Sequence, residues 1–236
     1  MECTGSHVEH GFCHVGVVEK TVREQSPVDD RSNPCIMSPV LSEHTSVRQR
    51  ILDTAKPIIL GKGFAAVGLN ELLTAAGVPK GSFYHYFKSK EAFGEALLDN
   101  YFSACWERLS EILKGSADSA GDRLMNYWRL WLETQSSEGS DGKCLAVKLG
   151  GEVSDLSEPM RMALVRGTGR IVEMIADCIR EGRTDGSLSS DIDAEDSALT
   201  LYNLWLGATV LTKIRRDRSA LEAAMTATRQ LLKRVT

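Results

Sequence analysis

No apolar run in this chain approaches the ~18–20 residues that a membrane-spanning helix requires, and the amino end lacks a basic flank leading into an apolar stretch of secretory length. Neither membrane insertion nor export is expected, so the six cysteines read as reduced thiols in a cytoplasmic setting. Histidine is scarce: of five, only His44 and His85 fall beyond residue 43. A cysteine nucleophile would find almost no base to activate it, and there is no HExxH pair or glycine run that could cradle phosphate. An enzyme is therefore not expected, nor a cofactor. Strand-like alternation is missing as well, which leaves helix as the repeating element.

What the chain does contain is concentrated in residues 77 to 93. Gly77 suits a helix C-terminus after the apolar-periodic segment Leu69 to Ala76, and Pro79 can open the next helix without forfeiting a needed N–H. Two short helices therefore meet at a tight corner. From Lys80 onward Ser82, Tyr84 and His85 offer hydrogen bonds to base edges or phosphates, while Phe83 and Phe87, four apart, fall on the opposite face. Lys88 and Lys90 follow around Ser89, a candidate N-cap, where ammonium groups and a helix N-terminus can hold one phosphate strand. Alone, the cluster of Tyr84, His85 and Tyr86 reads equally as the cover of a small core. The turn before it and the lysines after it tip the reading towards DNA.

Net charge at first opposes that reading, because the whole chain sums to -4. Its distribution removes the conflict. Residues 44 to 93 hold seven Lys or Arg against three acids, a local +4 that leaves -8 on the remainder. A positive face on an acidic body gives phosphate attraction that falls steeply with salt.

Residues 46 to 93 resemble the N-terminal domain of the TetR family of bacterial transcriptional regulators, through the run Lys-Gly-Ser-Phe-Tyr-His-Tyr-Phe and the Lys-Ser-Lys-Glu that follows it. The resemblance implies that Lys80, Gly81, Ser82, Tyr84, His85, Tyr86, Lys88 and Lys90 face DNA, and that Phe83, Phe87 and Phe93 are core. Arg48 and Arg50 would touch the DNA backbone, with plain solvation an equal reading. It implies an all-α fold in two parts: a three-helix helix-turn-helix DNA-binding domain over 44–93, and a helical effector-binding and dimerisation domain over 94–236.

Helical spacing predicts a first helix from Ser46 to about Lys62, stopped by Gly63. A kink or irregular turn is expected at Pro57, since an interior proline costs about 3 kcal/mol. Further helices are expected over 89–114, 119–138, 144–152, 157–182, 193–214 and 217–234. The last two carry apolar stripes, Leu199, Tyr202, Leu206 and Val210 on one and Leu221, Ala224, Met225, Thr228, Leu231 and Leu232 on the other. In the resembled family such a pair packs against its twin, which implies a homodimer on a palindromic operator with recognition helices ~34–36 Å apart. An internal core is the other reading.

Residues 1 to 43 have no sustained period and are expected to be disordered, or, for 1–36, an extended or misassigned start ahead of Met37. A metal site from Cys3, His7, His10, Cys13 and His14 matches no zinc spacing and is not adopted.

Regulation points to Cys144, in Gly-Lys-Cys-Leu-Ala-Val-Lys-Leu (142–149). At the start of a predicted helix, beside Lys143 and Lys148, free backbone N–H groups favour thiolate over thiol. A buried, inert cysteine is the alternative. This segment, with Glu-Val-Ser-Asp-Leu-Ser-Glu-Pro-Met-Arg after it and Leu-Trp-Leu-Gly-Ala-Thr-Val-Leu-Thr-Lys later, resembles the N-ethylmaleimide reductase repressor subgroup. That resemblance implies a repressor released when a thiol, here Cys144, is modified by small electrophiles or oxidants, with Lys213 near the modified sulfur. Lys143 stands where a small residue is common in that subgroup, and Ser154 rules out a disulfide through position 154. Cys105 and Cys178 read as core, or as thiols that resolve an oxidised Cys144.

The neighbouring acrylate-responsive repressors leave open a non-covalent effector such as an unsaturated carboxylic acid, with Arg123, Arg129, Arg161 and Arg166 as candidate partners. Trp106, Trp128 and Trp131 are candidates to line the effector cavity, or core.

Overall fold

The computed structural model describes residues 46–115, 118–137 and 143–232. The expectations for residues 1–43, the rejected metal site included, lie outside the described residues. Within them the chain is all-α, with nine helices and no strand.

The first is α1, Val47–Lys62, where Ser46 Oγ accepts from Gln49 N at 3.2 Å and Gly63 closes the helix. α1 runs through Pro57 as one helix, so of the kink or irregular turn expected there the irregular turn does not form. Pro57 lies on the exposed side, so the carbonyl deprived of its helical N–H can face water. α2, Leu69–Ala76, ends on Gly77 at φ 62, a left-handed position that glycine occupies without a Cβ penalty. Val78 N–H then returns to the Leu73 carbonyl at 3.1 Å and turns the chain into α3, Lys80–Tyr86.

Four of the later helices start on a side-chain cap. Ser89, Ser119, Ser157 and Asp193 open α4 (Lys90–Leu113), α5 (Ala120–Ser136), α7 (Glu158–Thr184) and α8 (Ala194–Arg215). α6, Leu145–Val153, has Cys144 as its N-cap and no capping hydrogen bond. The last helix is α9, Ser219–Leu232.

One core runs through all of this, from Ile51 and Phe83 through Leu97 and Leu98 to Trp128, Trp205 and Leu221. The described residues accordingly form one compact unit, and α4 passes unbroken through the expected 93/94 boundary. α4 packs most extensively along α7, so closely at Gly167 that a Cβ there would lie 2.1 Å from the Phe102 ring.

Candidate nucleic-acid interface and effector cavity

α3 divides cleanly into two faces. Phe83 and Phe87 are buried and meet Phe93 of α4 with ring centroids 5.2 to 5.5 Å apart. Tyr84 is 49 % exposed and Tyr86 38 %, with Lys80, Gly81, His85 and Lys88 also exposed and Ser82 and Lys90 partly so. Lys80 Nζ lies 5.9 Å from the Tyr84 ring centre, Arg48 lies 5.5 Å from Phe87, and Lys90 lies 4.9 Å from Phe64. These contacts orient the cations without neutralising them. A Cβ on Gly81 would meet nothing within 4 Å, so a phosphate can approach that backbone closely.

The second site is a cavity of about 240 Å³ between the middle helices. Aromatic and polar groups line it together: Tyr101, Tyr127, Trp131, Tyr202, Gln135 and Arg108, with both Cys105 and Cys144. Cys144 is 6 % exposed, and its N–H donates to Gln135 Oε1 at 3.2 Å. Burial pushes its thiol above the ordinary value, while the Val147 N–H and the Tyr101 hydroxyl pull it partly back without closing a capping hydrogen bond. Burial therefore favours the neutral thiol at this position, against the thiolate that the local sequence favours. Both lysines that were to favour thiolate are turned elsewhere. Lys143 Nζ donates to the carbonyls of Gln135, at 2.8 Å, and Ser137, and Lys148 Nζ to Gly61 O at 3.4 Å.

Comparison with known proteins decides the family. Residues 51–97 match the family described as bacterial regulatory proteins, tetR family, and residues 120–228 match the tetracyclin repressor-like C-terminal domain. The chain is 40 % identical over 187 residues to the HTH-type transcriptional repressor NemR of Escherichia coli (strain K12), covering 78 % of this chain and 94 % of that one. The chain belongs to the TetR family. It is also 34 % identical over 182 residues to the repressor DhaR of Mycobacterium sp. (strain GP1), covering 77 % of this chain and 90 % of DhaR. The crystal structure of reduced E. coli NemR superposes with a TM-score of 0.75 over 80 % of this chain and 97 % of that one. Like these relatives, the chain is a transcriptional repressor of the TetR family and not an enzyme.

Within this TetR-family protein, several expected site residues fall elsewhere. Trp131 lines the cavity and donates its indole N–H to Thr209 Oγ1 at 3.0 Å. Trp128 is core instead, fully buried and stacked on Trp205 with ring centres 5.0 Å apart. Trp106 stands outside the cavity, between the guanidinium of Arg170 and the ammonium of Lys114. Lys213 is exposed at the protein surface, where partial desolvation lowers its pKa and a negative charge on Cys144 would raise it. Cys178 is buried beside the carbonyls of Leu113 and Ala120, apart from the cavity lining.

The dimerisation set divides in two. Tyr202, Leu221, Met225, Thr228 and Leu232 are buried in the chain's own core, so they are not a free partner surface. Tyr202 lines the cavity, and Thr228 Oγ1 accepts from Trp205 Nε1 at 2.9 Å. Leu199 and Val210 remain exposed and Leu206 partly so, in one row that Ile214, 69 % exposed, continues. Of the arginines weighed for a carboxylate, Arg123, Arg161 and Arg166 are already paired, with Glu181, Glu158 and Asp99.

Sequence reading missed two groups that matter. Gln135 brackets the Cys144 segment, and Glu152 of α6 accepts from Phe64 N at 3.1 Å and from Ala65 N at 2.6 Å, in the corner between α1 and α2. Neither had a signal in local spacing, because each acts across a distance in sequence that only the fold closes.

Proposed function

We propose that the protein binds a palindromic operator as a homodimer, through the exposed face of α3 with Lys88, Lys90 and Arg48, and releases it when a small electrophile or oxidant modifies Cys144. One observation carries the reading: the residue that opens α6 lines the effector cavity, and Glu152 near the end of the same helix holds the α1–α2 corner. An adduct on Cys144 enters a cavity walled by Tyr101, Trp131 and Gln135, so it presses on the Gln135 contact at the head of α6, and displacement of the Cys144 segment carries α6 with it. An anionic product at that sulfur would pair with Lys213, whose pKa a negative charge on Cys144 raises. To turn a population from 1:99 to 99:1 the modification must bias the two shapes by about 5.5 kcal/mol.

Fluorescence anisotropy of a labelled fragment from upstream of its own gene tests this, with reduced protein before and after stoichiometric N-ethylmaleimide and with Cys144→Ser in parallel. Binding that modification abolishes only when Cys144 is present supports the switch. Binding indifferent to modification overturns it and favours the second reading, a non-covalent effector such as an unsaturated carboxylic acid. Arg108 supports that alternative, because it lines the cavity and has no ion pair among the described residues.

A further inference from the structure

We infer that Cys105 is a second electrophile-accepting thiol of this cavity and the one an incoming electrophile meets first. The inference rests on the cavity reading above but concerns a different sulfur, on α4 rather than at the head of α6. Four observations place it. Cys105 lies one helical turn after Tyr101, so both side chains line the same wall. It is partly exposed, whereas Cys144 is buried, so it lies nearer the solvent side of the shared space. Arg108 Nη2 stands 3.8 Å from the Cys105 sulfur, where its guanidinium can donate to the carbonyl oxygen of a ligand beside that sulfur. Tyr101 and both sulfurs line the one cavity, so a ligand that reaches Cys144 shares that space with Cys105.

Tyr127 and Trp131 line the same space, so an unsaturated carbonyl compound entering it meets aromatic walls. The step needs no co-reactant. Cys105 sulfur adds to the β-carbon of an α,β-unsaturated carbonyl compound, the sulfur–carbon bond forms as the carbon–carbon π pair moves to the α-carbon, and that carbon takes the proton the thiol gives up. Nothing is oxidised and nothing leaves.

The test is sub-stoichiometric N-ethylmaleimide on the reduced full-length chain, quenched at intervals, with peptide mass spectrometry reporting each cysteine. Cys178, deeply buried, is the internal standard. Cys105 is expected to label at least about tenfold faster than Cys144 or Cys178, in wild type and in Cys144→Ser, and Arg108→Gln is expected to slow Cys105 alone. Labelling of Cys105 no faster than Cys144, or no faster than Cys178, overturns the inference. Operator release separates this from the Cys144 reading. If Cys105 labels slowly yet only Cys144→Ser blocks release, this inference falls and that reading stands. Should Cys105 label first and only Cys105→Ser block release, the Cys144 reading falls and this one stands.

Discussion

The carboxylate of Glu152 accepts a 2.6 Å hydrogen bond from the backbone N–H of Ala65, tying the end of α6 to the corner between α1 and α2. A second bond, from Phe64 N at 3.1 Å, makes the contact two-pronged. Glu152→Ala removes both. Charged hydrogen bonds are worth about 1.5–3 kcal/mol each, less here because water can reach the corner. The protein should still fold, with a lower melting temperature, but modification of Cys144 should change its operator affinity by less than about threefold. Anisotropy titrations before and after modification measure this. Full release in the variant would mean that the signal leaves α6 by another route.

Much of the fold was legible because its signals are local. Gly77, Pro79 and the Phe83–Phe87 spacing announce a corner and a two-faced helix within eleven residues, and the side-chain caps mark helix starts. The cavity was less legible, since helical periodicity says which residues share a face but not what that face meets. Trp106 and Trp131 both sit on amphipathic helices, yet only Trp131 reaches the cavity. Tyr202 was read towards a partner and is turned inward for the same reason. Glu152 lies 88 residues from Phe64, a pairing with no trace in spacing. The burial of Cys144 reverses a charge argument that was sound locally: free N–H groups do lower the thiol, but desolvation outweighs them.

Lys88 is exposed on the proposed DNA face and makes no ion pair or side-chain hydrogen bond among the described residues. Lys88→Ala should weaken operator and random DNA alike and reduce the slope of log K against log salt by about one. Phe83→Ala is the contrast, because removing a fully buried ring costs about 3–5 kcal/mol and abolishes binding through unfolding. Salt titrations with circular dichroism separate the two. An unchanged slope for Lys88→Ala would remove that lysine from the interface.

Gly167→Ala should destabilise the protein, because the added methyl falls 2.1 Å from a rigid phenyl ring where α4 and α7 pack most extensively. Overpacking of this kind costs about 1–3 kcal/mol. Urea denaturation should show the midpoint fall with little change in slope. Unaltered stability would mean that Phe102 can step aside freely.

Cys178 gives a pH test whose sign can be worked out. Burial pushes its thiol from 9.0 up to about 12. Below pH 9 both folded and unfolded states keep the proton, and the contribution is fully present. Between about 9 and 12 the unfolded chain ionises while the folded one does not, so stability falls as pH rises. At pH 10.5 the loss from this one group amounts to about 2 kcal/mol, an order-of-magnitude figure. Buried tyrosines add to the decline, so the informative quantity is wild type minus Cys178→Ala, measured at pH 8 and pH 10.5. A difference that does not change with pH would show that water reaches the sulfur.

The partner surface is the remaining structural commitment. With Tyr202, Leu221, Met225, Thr228 and Leu232 buried in the chain's own core, the apolar residues that stay exposed in one row on α8 are Leu199, Leu206, Val210 and Ile214, with Leu206 partly so. Their spacing of seven, four and four keeps them on one side of the helix. Two carboxylates placed there would meet their own copies across a two-fold axis, where like charges and desolvation both oppose association. Val210→Glu with Ile214→Glu should therefore give a folded monomer by light scattering, since both positions are exposed within the chain. A monomer presents one α3 instead of two, so operator affinity should drop far more than affinity for random DNA. A double variant that stays dimeric would put the interface elsewhere on the molecule, and the exposed row on α8 would need another partner.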